Sequence, residues 1–164
     1  MALLDNEKHL STVVDGLDHP EGIAWGPDGC VYAGGEAGQL YRIDIEKQMA
    51  KEYANTGGFI LGIALDANSN VYACDLEAKS VLKITPYGEI STYSSGTLSN
   101  PMLTPNYPAF DRRGNLYVCD SGEWKKNNGR IYRIDSIGQT VVWNDNAKEF
   151  PNGLCMGINE KYIY

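Results

Sequence analysis

The sequence has 164 residues, of which 43% are hydrophobic and 21% are charged, and this composition excludes a disordered chain. No apolar run reaches the length of about 18 residues that spans a membrane, so we expect no membrane partner. The formal net charge of −7 has the wrong sign for a general nucleic-acid binder, so we expect no nucleic-acid partner.

The first residues and the cysteines of the sequence indicate the cellular compartment of the protein. Residues 1–8 show no basic start followed by an apolar run, so we expect no signal peptide. The four cysteines contain no CxxC pair, which argues against a disulfide framework and against a zinc site. These features favour reduced thiols and a cytoplasmic location.

The most informative feature of the sequence is a repeat. Gly22–Ala33 matches Gly62–Ala73 and Tyr107–Val118, and a fourth copy begins at Gly153. The four starts follow one another at steps of 40, 45 and 46 residues. Repeats of this length are typical of β-propeller blades, each of which contains four short antiparallel strands.

The first copy predicts four strands in chain order. Gly22–Trp25 is small and apolar, which suits a strand packed on both faces. A Pro-Asp-Gly turn leads to Val31–Ala33, and Gln39–Asp44 follows with the alternation of a half-buried strand. Ala50–Tyr53 completes the unit.

The later copies predict the same pattern. In the second copy, strands are expected at Gly62–Leu65, Val71–Ala73, Ser80–Thr85 and Ile90–Tyr93. In the third copy, they are expected at Tyr107–Phe110, Leu116–Val118, Arg130–Asp135 and Thr140–Trp143. The fourth copy predicts strands at Gly153–Met156 and Tyr162–Tyr164. Asn128–Gly129, just before a third strand, predicts a hairpin turn.

These elements predict an all-β fold, a β-propeller of about three and a half four-stranded blades. Residues 1–16 would form a lead-in or closing strand, and residues 17–164 the partial propeller, with blade starts near 21, 61, 106 and 152. An all-β sandwich is the alternative, but it does not explain the return of one motif. Because propeller rings close with about four to eight blades, we expect the sequence to be a truncated portion of a longer chain.

One residue stands immediately before the first repeat motif of each copy, and we call these four the blade-start residues. They are Glu21, Leu61, Asn106 and Asn152. Equivalent positions on the innermost strands of a propeller converge on its axis. A Glu carboxylate and Asn carbonyl oxygens are ligands for hard divalent cations, so three of the four predict a metal site and Leu61 would only pack. The alternative is that they are exposed or locally hydrogen-bonded turn residues.

Other recurring positions predict structural roles. Asp75 and Asp120 follow the second strands, where a turn role is favoured. His19 is interpreted as a loop residue beside Pro20. Five aromatic residues fall at two repeat positions and predict core packing: Tyr32, Tyr72, Tyr117, Trp25 and Phe110.

Three segments, His19–Trp25, Thr104–Tyr117 and Phe150–Leu154, resemble the gluconolactonase/regucalcin-like family. Its members are six-bladed propellers that hold a divalent metal on the axis. The resemblance implies that Glu21 and Asn152 are metal ligands and that Asn106 lies beside the metal or the substrate. Some members carry a substrate-contacting Arg where this chain has Thr104.

The resemblance also implies an activity, metal-dependent hydrolysis of a small lactone or related ester. The cation would be Ca²⁺, Zn²⁺, Mg²⁺ or Mn²⁺. The family's general base is an Asp ligand from a later blade, beyond Tyr164, so no catalytic residue is expected within this chain and the chain alone should be inactive.

Two other classes of propeller remain open. The segment from Gly62 to Asp75 also resembles NHL-type propellers, which are often binding scaffolds without catalysis. Strictosidine-synthase-like propellers share the repeat without requiring this set of metal ligands. The combination of Glu21, Asn106 and Asn152 favours the lactonase, because a pure scaffold does not require these ligands.

Overall fold

The computed structural model describes residues 10–164, which contain twelve strands in three antiparallel sheets. The first sheet contains β1 (Ile23–Trp25), β2 (Val31–Gly34), β3 (Gln39–Asp44) and β4 (Met49–Asn55). The second sheet contains β5 (Ile60–Leu65), β6 (Val71–Asp75), β7 (Ser80–Ile84) and β8 (Ile90–Ser94). The third contains β9 (Pro105–Phe110), β10 (Leu116–Asp120), β11 (Arg130–Ile134) and β12 (Thr140–Asn144).

Within each sheet, every strand pairs with its neighbours in sequence, which is the arrangement of a propeller blade. The predicted all-β propeller fold is therefore confirmed, and β1, β5 and β9 are the first strands of blades 1, 2 and 3. Residues 10–164 contain no helix, and hence none that is long and apolar enough to cross a membrane.

An Asp residue organises the turn between the first two strands of each blade. Oδ1 of Asp66 accepts hydrogen bonds from the backbone N–H groups of residues 68 and 70, both at 2.9 Å. Asp111 accepts the corresponding bonds at 2.9 and 2.8 Å, and Asp28 accepts one from Cys30 at 3.2 Å. An Asp side chain that bonds the backbone two residues onward is a preferred way to make such a turn.

The core consists of two clusters that join neighbouring blades. In the second cluster, the Tyr72 ring makes edge contacts with Tyr93 at 4.8 Å and with Phe110 at 5.0 Å between ring centroids. The Tyr72 hydroxyl donates to Asp66, and Tyr32 is buried in the same way in the first cluster. The predicted core role of these tyrosines is confirmed, while Tyr117 is half-buried against Trp143.

The prediction that Gly22–Trp25 packs on both faces is wrong. Ile23 and Trp25 are 62% and 65% exposed. The residues at the same repeat position as Trp25, Leu65 and Phe110, pack against the cluster that includes the preceding blade. No described residue occupies the corresponding place before blade 1, so Trp25 faces solvent.

The ends of the described chain contain less regular structure. Residues 10–16 form no strand, and the rest of the predicted lead-in, residues 1–9, lies outside the described residues. In the fourth copy, Met156 and Ile163 form a bridge, and Cys155 and Tyr164 exchange two backbone hydrogen bonds at 2.8 and 3.0 Å. The fourth copy thus begins as the other three do, with two antiparallel segments.

Asn128–Gly129 does not form the predicted two-residue hairpin turn. Nine residues, 121–129, join β10 to β11, and the Asn128 side chain accepts a hydrogen bond from the Glu123 N–H within this loop. Gly129 is required for a different reason. A Cβ there would meet Pro151 Cδ at 2.6 Å, so only a glycine lets the loop approach the start of the fourth copy.

Candidate functional site

Glycines bring the blade-start residues of successive blades together. A Cβ on Gly22 would clash with the carbonyl oxygen of Leu61 and would meet the Gly62 Cα at 2.8 Å. A Cβ on Gly62 would in turn meet the carbonyl oxygen of Asn106 at 2.6 Å. The chain next to Glu21 therefore contacts the start of blade 2, which contacts the start of blade 3.

A β-bulge marks the blade-start residue in blades 2 and 3. In blade 3, Asp120 pairs with Pro105 and Cys119 pairs with Tyr107, which leaves Asn106 as the extra residue. In blade 2, the same shift leaves residues 61–62 opposite Cys74. Bulges occur beside active sites because the extra residue redirects a side chain away from the regular alternation of the strand.

Asn106 is buried, with 7% of its surface exposed. Within residues 10–164, no protein group forms a hydrogen bond with its side-chain amide, and neither amide atom is fully sealed from solvent. Buried amides normally have hydrogen-bond partners. The Asn106 amide is therefore open to a ligand or to water.

Two other predicted site residues are more exposed. Glu21 lies just before β1, and Asn152 lies just before the fourth copy; both side chains are exposed. The backbone of Asn152 is fixed to blade 3, because the Cys119 thiol donates to its carbonyl oxygen at 2.7 Å. The same sulfur lies 3.5 Å from the carbonyl oxygen of Tyr107, so the blade-3 and fourth-copy starts meet at Cys119.

Thr104 precedes β9 and is half-buried. Its N–H donates to Oδ1 of Asp120 at 2.7 Å, and its carbonyl oxygen accepts a hydrogen bond from the Ser121 N–H at 2.9 Å. Both backbone groups of Thr104 are thus held by the end of β10, which fixes the direction in which the chain enters β9.

Asp75 and Asp120 have the structural role predicted for them. Both carboxylates are buried and accept hydrogen bonds from the segment that leads into their own blade. Asp75 accepts from the Thr56 hydroxyl at 2.7 Å, and Asp120 accepts from the Leu103 N–H at 2.8 Å. Because these hydrogen bonds occupy the carboxylates, Asp75 and Asp120 are not candidates for metal ligands or for a general base.

The Cys119 thiol is a neutral donor over the physiological range. Burial raises its pKa to about 12. Burial also raises the pKa of Cys74, which occupies the same repeat position in blade 2, well above the usual thiol value. All four cysteines are free, and only Cys155 is exposed.

The candidate ligands are one carboxylate and two neutral amides. No cluster of three or more His, Cys, Asp or Glu side chains that could hold a metal lies within residues 10–164. The blade-start residues Glu21, Asn106 and Asn152 stay the predicted set, and two of its three side chains are amides.

Sequence reasoning missed the residues that position the candidate site. Asp120 was predicted only as a turn residue, and no contact of Cys119 or Ser121 was predicted. The available signal was the Cys-Asp pair that recurs at the end of the second strand, at residues 74–75 and 119–120. The residues that this pair contacts lie partly in another blade, and a local sequence pattern contains no information about them.

The sequence model of a family described as strictosidine synthase-like, N-terminal, matches residues 10–43. No curated protein sequence matches the chain.

Solved structures match the chain over most of its length. A gluconolactonase from Xanthomonas campestris has a TM-score of 0.82 and 18% identity, and the match covers 93% of this chain and 56% of that chain. A second chain, provisionally described as a gluconolactonase, has a TM-score of 0.78 and 16% identity over 92% of this chain and 56% of that chain. A catalytically inactive variant of virginiamycin B lyase from Staphylococcus aureus has a TM-score of 0.66 and 23% identity. This match covers 86% of this chain and 46% of that chain.

The chain thus spans about half the length of the solved structures that it matches. At these identities the likeness is one of fold. The resemblance to gluconolactonases noted in the sequence is confirmed at that level: the chain has the same propeller architecture as the gluconolactonases among its structural neighbours.

Proposed function

We propose that the protein is a metal-dependent hydrolase of the lactonase type and that Glu21, Asn106 and Asn152 bind its divalent cation. The observation that carries this proposal is the Asn106 side chain, a buried amide at a bulge of a first strand, with no hydrogen-bond partner among residues 10–164. Two other blade-start residues, Glu21 and Asn152, would supply a carboxylate and a second amide.

The donor set fits a hard cation. One carboxylate and two carbonyl oxygens are typical of Ca²⁺, Mg²⁺ or Mn²⁺ sites, and they suit Zn²⁺ less well because it prefers nitrogen and sulfur ligands. A cation bound there would act as a Lewis acid toward a lactone carbonyl. The resemblance assigns the general base to an Asp on a later blade, so we propose that residues 10–164 hold only part of the complete site.

The residues of this chain would bind and orient the substrate. Asn106 presents an amide that can both donate and accept hydrogen bonds, and Thr104 places a hydroxyl two residues earlier in the chain. These groups match the ring oxygens and hydroxyls of a small lactone. The similarity in fold to a gluconolactonase supports this class of substrate.

The test is an assay of the complete natural protein that carries this sequence, against sugar lactones and aliphatic lactones with and without EDTA. We expect hydrolysis of at least one lactone, loss of that activity in EDTA and its return with an added divalent cation. Absence of activity across the panel, or activity that EDTA does not change, would contradict the proposal.

A second candidate is a strictosidine-synthase-like propeller, because the matching family model covers residues 10–43. That class does not depend on the proposed metal ligands. Metal-independent turnover, together with full activity of a Glu21→Gln variant, would favour it over the lactonase.

A further inference from the structure

Three consecutive residues at the end of β10 hold the starts of two blades. We call Cys119, Asp120 and Ser121 the β10 clamp; all three are buried. On one side, the Asp120 carboxylate accepts hydrogen bonds from the N–H groups of residues 103 and 104 at 2.8 and 2.7 Å. This side fixes the segment that leads into Asn106.

The other side of the clamp reaches the fourth copy. The Ser121 hydroxyl donates to the carbonyl oxygen of Pro151 at 2.7 Å, and the Cys119 thiol donates to the carbonyl oxygen of Asn152 at 2.7 Å. Two successive carbonyl groups are therefore held by two buried donors. Because Asn152 itself is exposed, these bonds attach its backbone to the rigid sheet of blade 3.

Blade 2 has only half of this arrangement. Asp75 matches Asp120 and holds the start of its own blade, but Leu76 stands where blade 3 has Ser121, and it has no hydroxyl to donate. Within residues 10–164, no hydrogen bond joins the Cys74 thiol to the start of the next blade. At the end of β2 the corresponding contact is a backbone one, because the Ile60 N–H donates to the carbonyl oxygen of Gly35 at 3.2 Å. Among the described residues, thiol and hydroxyl donors to the next blade start are thus found at the place that carries Asn152 and have no counterpart at Cys74 and Leu76.

We propose that Cys119, Asp120 and Ser121 are positioning residues, which set the separation of Asn106 and Asn152 and thereby the affinity of the cation site. This inference rests on the proposed function, because it takes Asn106 and Asn152 as ligands. The physical reason is that metal ligands must be held in place, and the partners that orient them commonly change affinity by about 10- to 100-fold.

The experiment is a calorimetric titration with Mn²⁺ of the complete natural protein and its variants. We expect Ser121→Ala and Cys119→Ala each to weaken Mn²⁺ binding by about 10-fold or more, because each removes one donor to the Pro151–Asn152 segment. Ser121→Thr and Cys119→Ser keep a donor and should bind Mn²⁺ nearly as the wild type does.

Cys74→Ala is the matched control. It removes an equally buried thiol at the same repeat position, and among the described residues that thiol forms no hydrogen bond to a proposed ligand. The affinity of Cys74→Ala for Mn²⁺ should therefore stay within about twofold of the wild type even if its stability falls. Amide hydrogen exchange gives a second readout that needs no metal. In Ser121→Ala, the amide of Cys155, which donates to the carbonyl oxygen of Tyr164 at 2.8 Å, should exchange faster, while those of β6 keep their protection.

The outcomes separate the two proposals. If the wild-type protein binds no Mn²⁺, the proposed metal site fails and the clamp inference fails with it. If the wild type binds Mn²⁺ and the alanine variants bind it equally well, the clamp inference is overturned while the proposed function stands. A loss in Cys74→Ala as large as that in Cys119→Ala would also overturn it, since general destabilisation would then be the cause.

Discussion

At the scale of single residues, burial alone does not identify a ligand. Asn106 and Asp120 are both buried polar residues. The carboxylate of Asp120 accepts three hydrogen bonds from backbone N–H groups, whereas the Asn106 amide has no protein partner within the described residues. Because neither amide atom of Asn106 is sealed from solvent, this amide is the one of the two groups that is free to bind a ligand.

Gly62 should be sensitive to the smallest substitution. In Gly62→Ala the new Cβ would meet the Asn106 carbonyl oxygen at 2.6 Å and Pro108 Cδ at 2.8 Å, both parts of the next blade. We expect a loss of about 1–3 kcal/mol in the free energy of unfolding, measured by urea denaturation, because a strained close approach must relax. Gly153→Ala is the control, since a Cβ there meets nothing within 4 Å. Equal stability of the two variants would show that blades 2 and 3 do not approach as described.

At the scale of elements, the alternation of apolar and polar residues predicted most strands well. β3 was predicted at its observed bounds, and β7 differs by one residue. The bulge at Asn106 and the loop at 121–129 were not predicted. An Asn-Gly pair is a local signal, but Gly129 is held by contact with Pro151, twenty-two residues away in sequence, and a local signal does not contain that contact.

The buried thiols on β6 and β10 predict a loss of stability at alkaline pH. Below the usual thiol value of 9.0, Cys119 is protonated in both the folded and the unfolded chain. Above it, the unfolded chain releases the proton while the folded state keeps it up to about pH 12, so each thiol lowers the free energy of unfolding by at most about 1.4 kcal/mol per pH unit. We expect the melting temperature to fall steadily from about pH 9 upward.

Cys119→Ser isolates this contribution, because the hydroxyl keeps a donor and does not titrate in this range. Burial also raises the pKa of Tyr132, to about 12, so part of the alkaline decline should remain in the variant. The melting temperature of Cys119→Ser should therefore fall less steeply with pH than that of the wild type. Parallel curves for the two proteins would show that the thiol is not buried in the folded state.

At the scale of the whole molecule, the repeat predicts which residues are equivalent but not which of them are covered. Trp25, Leu65 and Phe110 share one repeat position, and both aromatic residues were expected in the core. Leu65 and Phe110 have a preceding blade to pack against, whereas Trp25 has none among the described residues. Burial at this position thus depends on the neighbouring blade. The sequence of a single copy does not indicate whether such a neighbour is present.

This difference between equivalent positions can be measured in the 164-residue chain. Phe110→Ala removes an edge contact with Tyr72 and should lower the free energy of unfolding by roughly 2 kcal/mol. Trp25→Ala should change it by less than about 0.5 kcal/mol, because the side chain faces solvent. Thermal denaturation of both variants tests this expectation, and an equal loss in the two would mean that Trp25 is covered.

The sequence predicted the candidate site as a set of residues, and the structure adds how their backbones are joined. Glycine contacts link the starts of blades 1 to 3, and Cys119 links the start of blade 3 to Asn152. Glu21 and Asn152 lie at opposite ends of the described blades, so a cation bound by all three side chains would join the first blade to the fourth copy.

The most direct measurement is an anomalous difference map from crystals of the complete natural protein soaked in Mn²⁺. We predict one strong peak with the Glu21 carboxylate and the carbonyl oxygens of Asn106 and Asn152 at bonding distances of about 2.0–2.6 Å. A map without a peak at the blade starts, or with a peak bound by only one of these three side chains, would contradict the shared cation site.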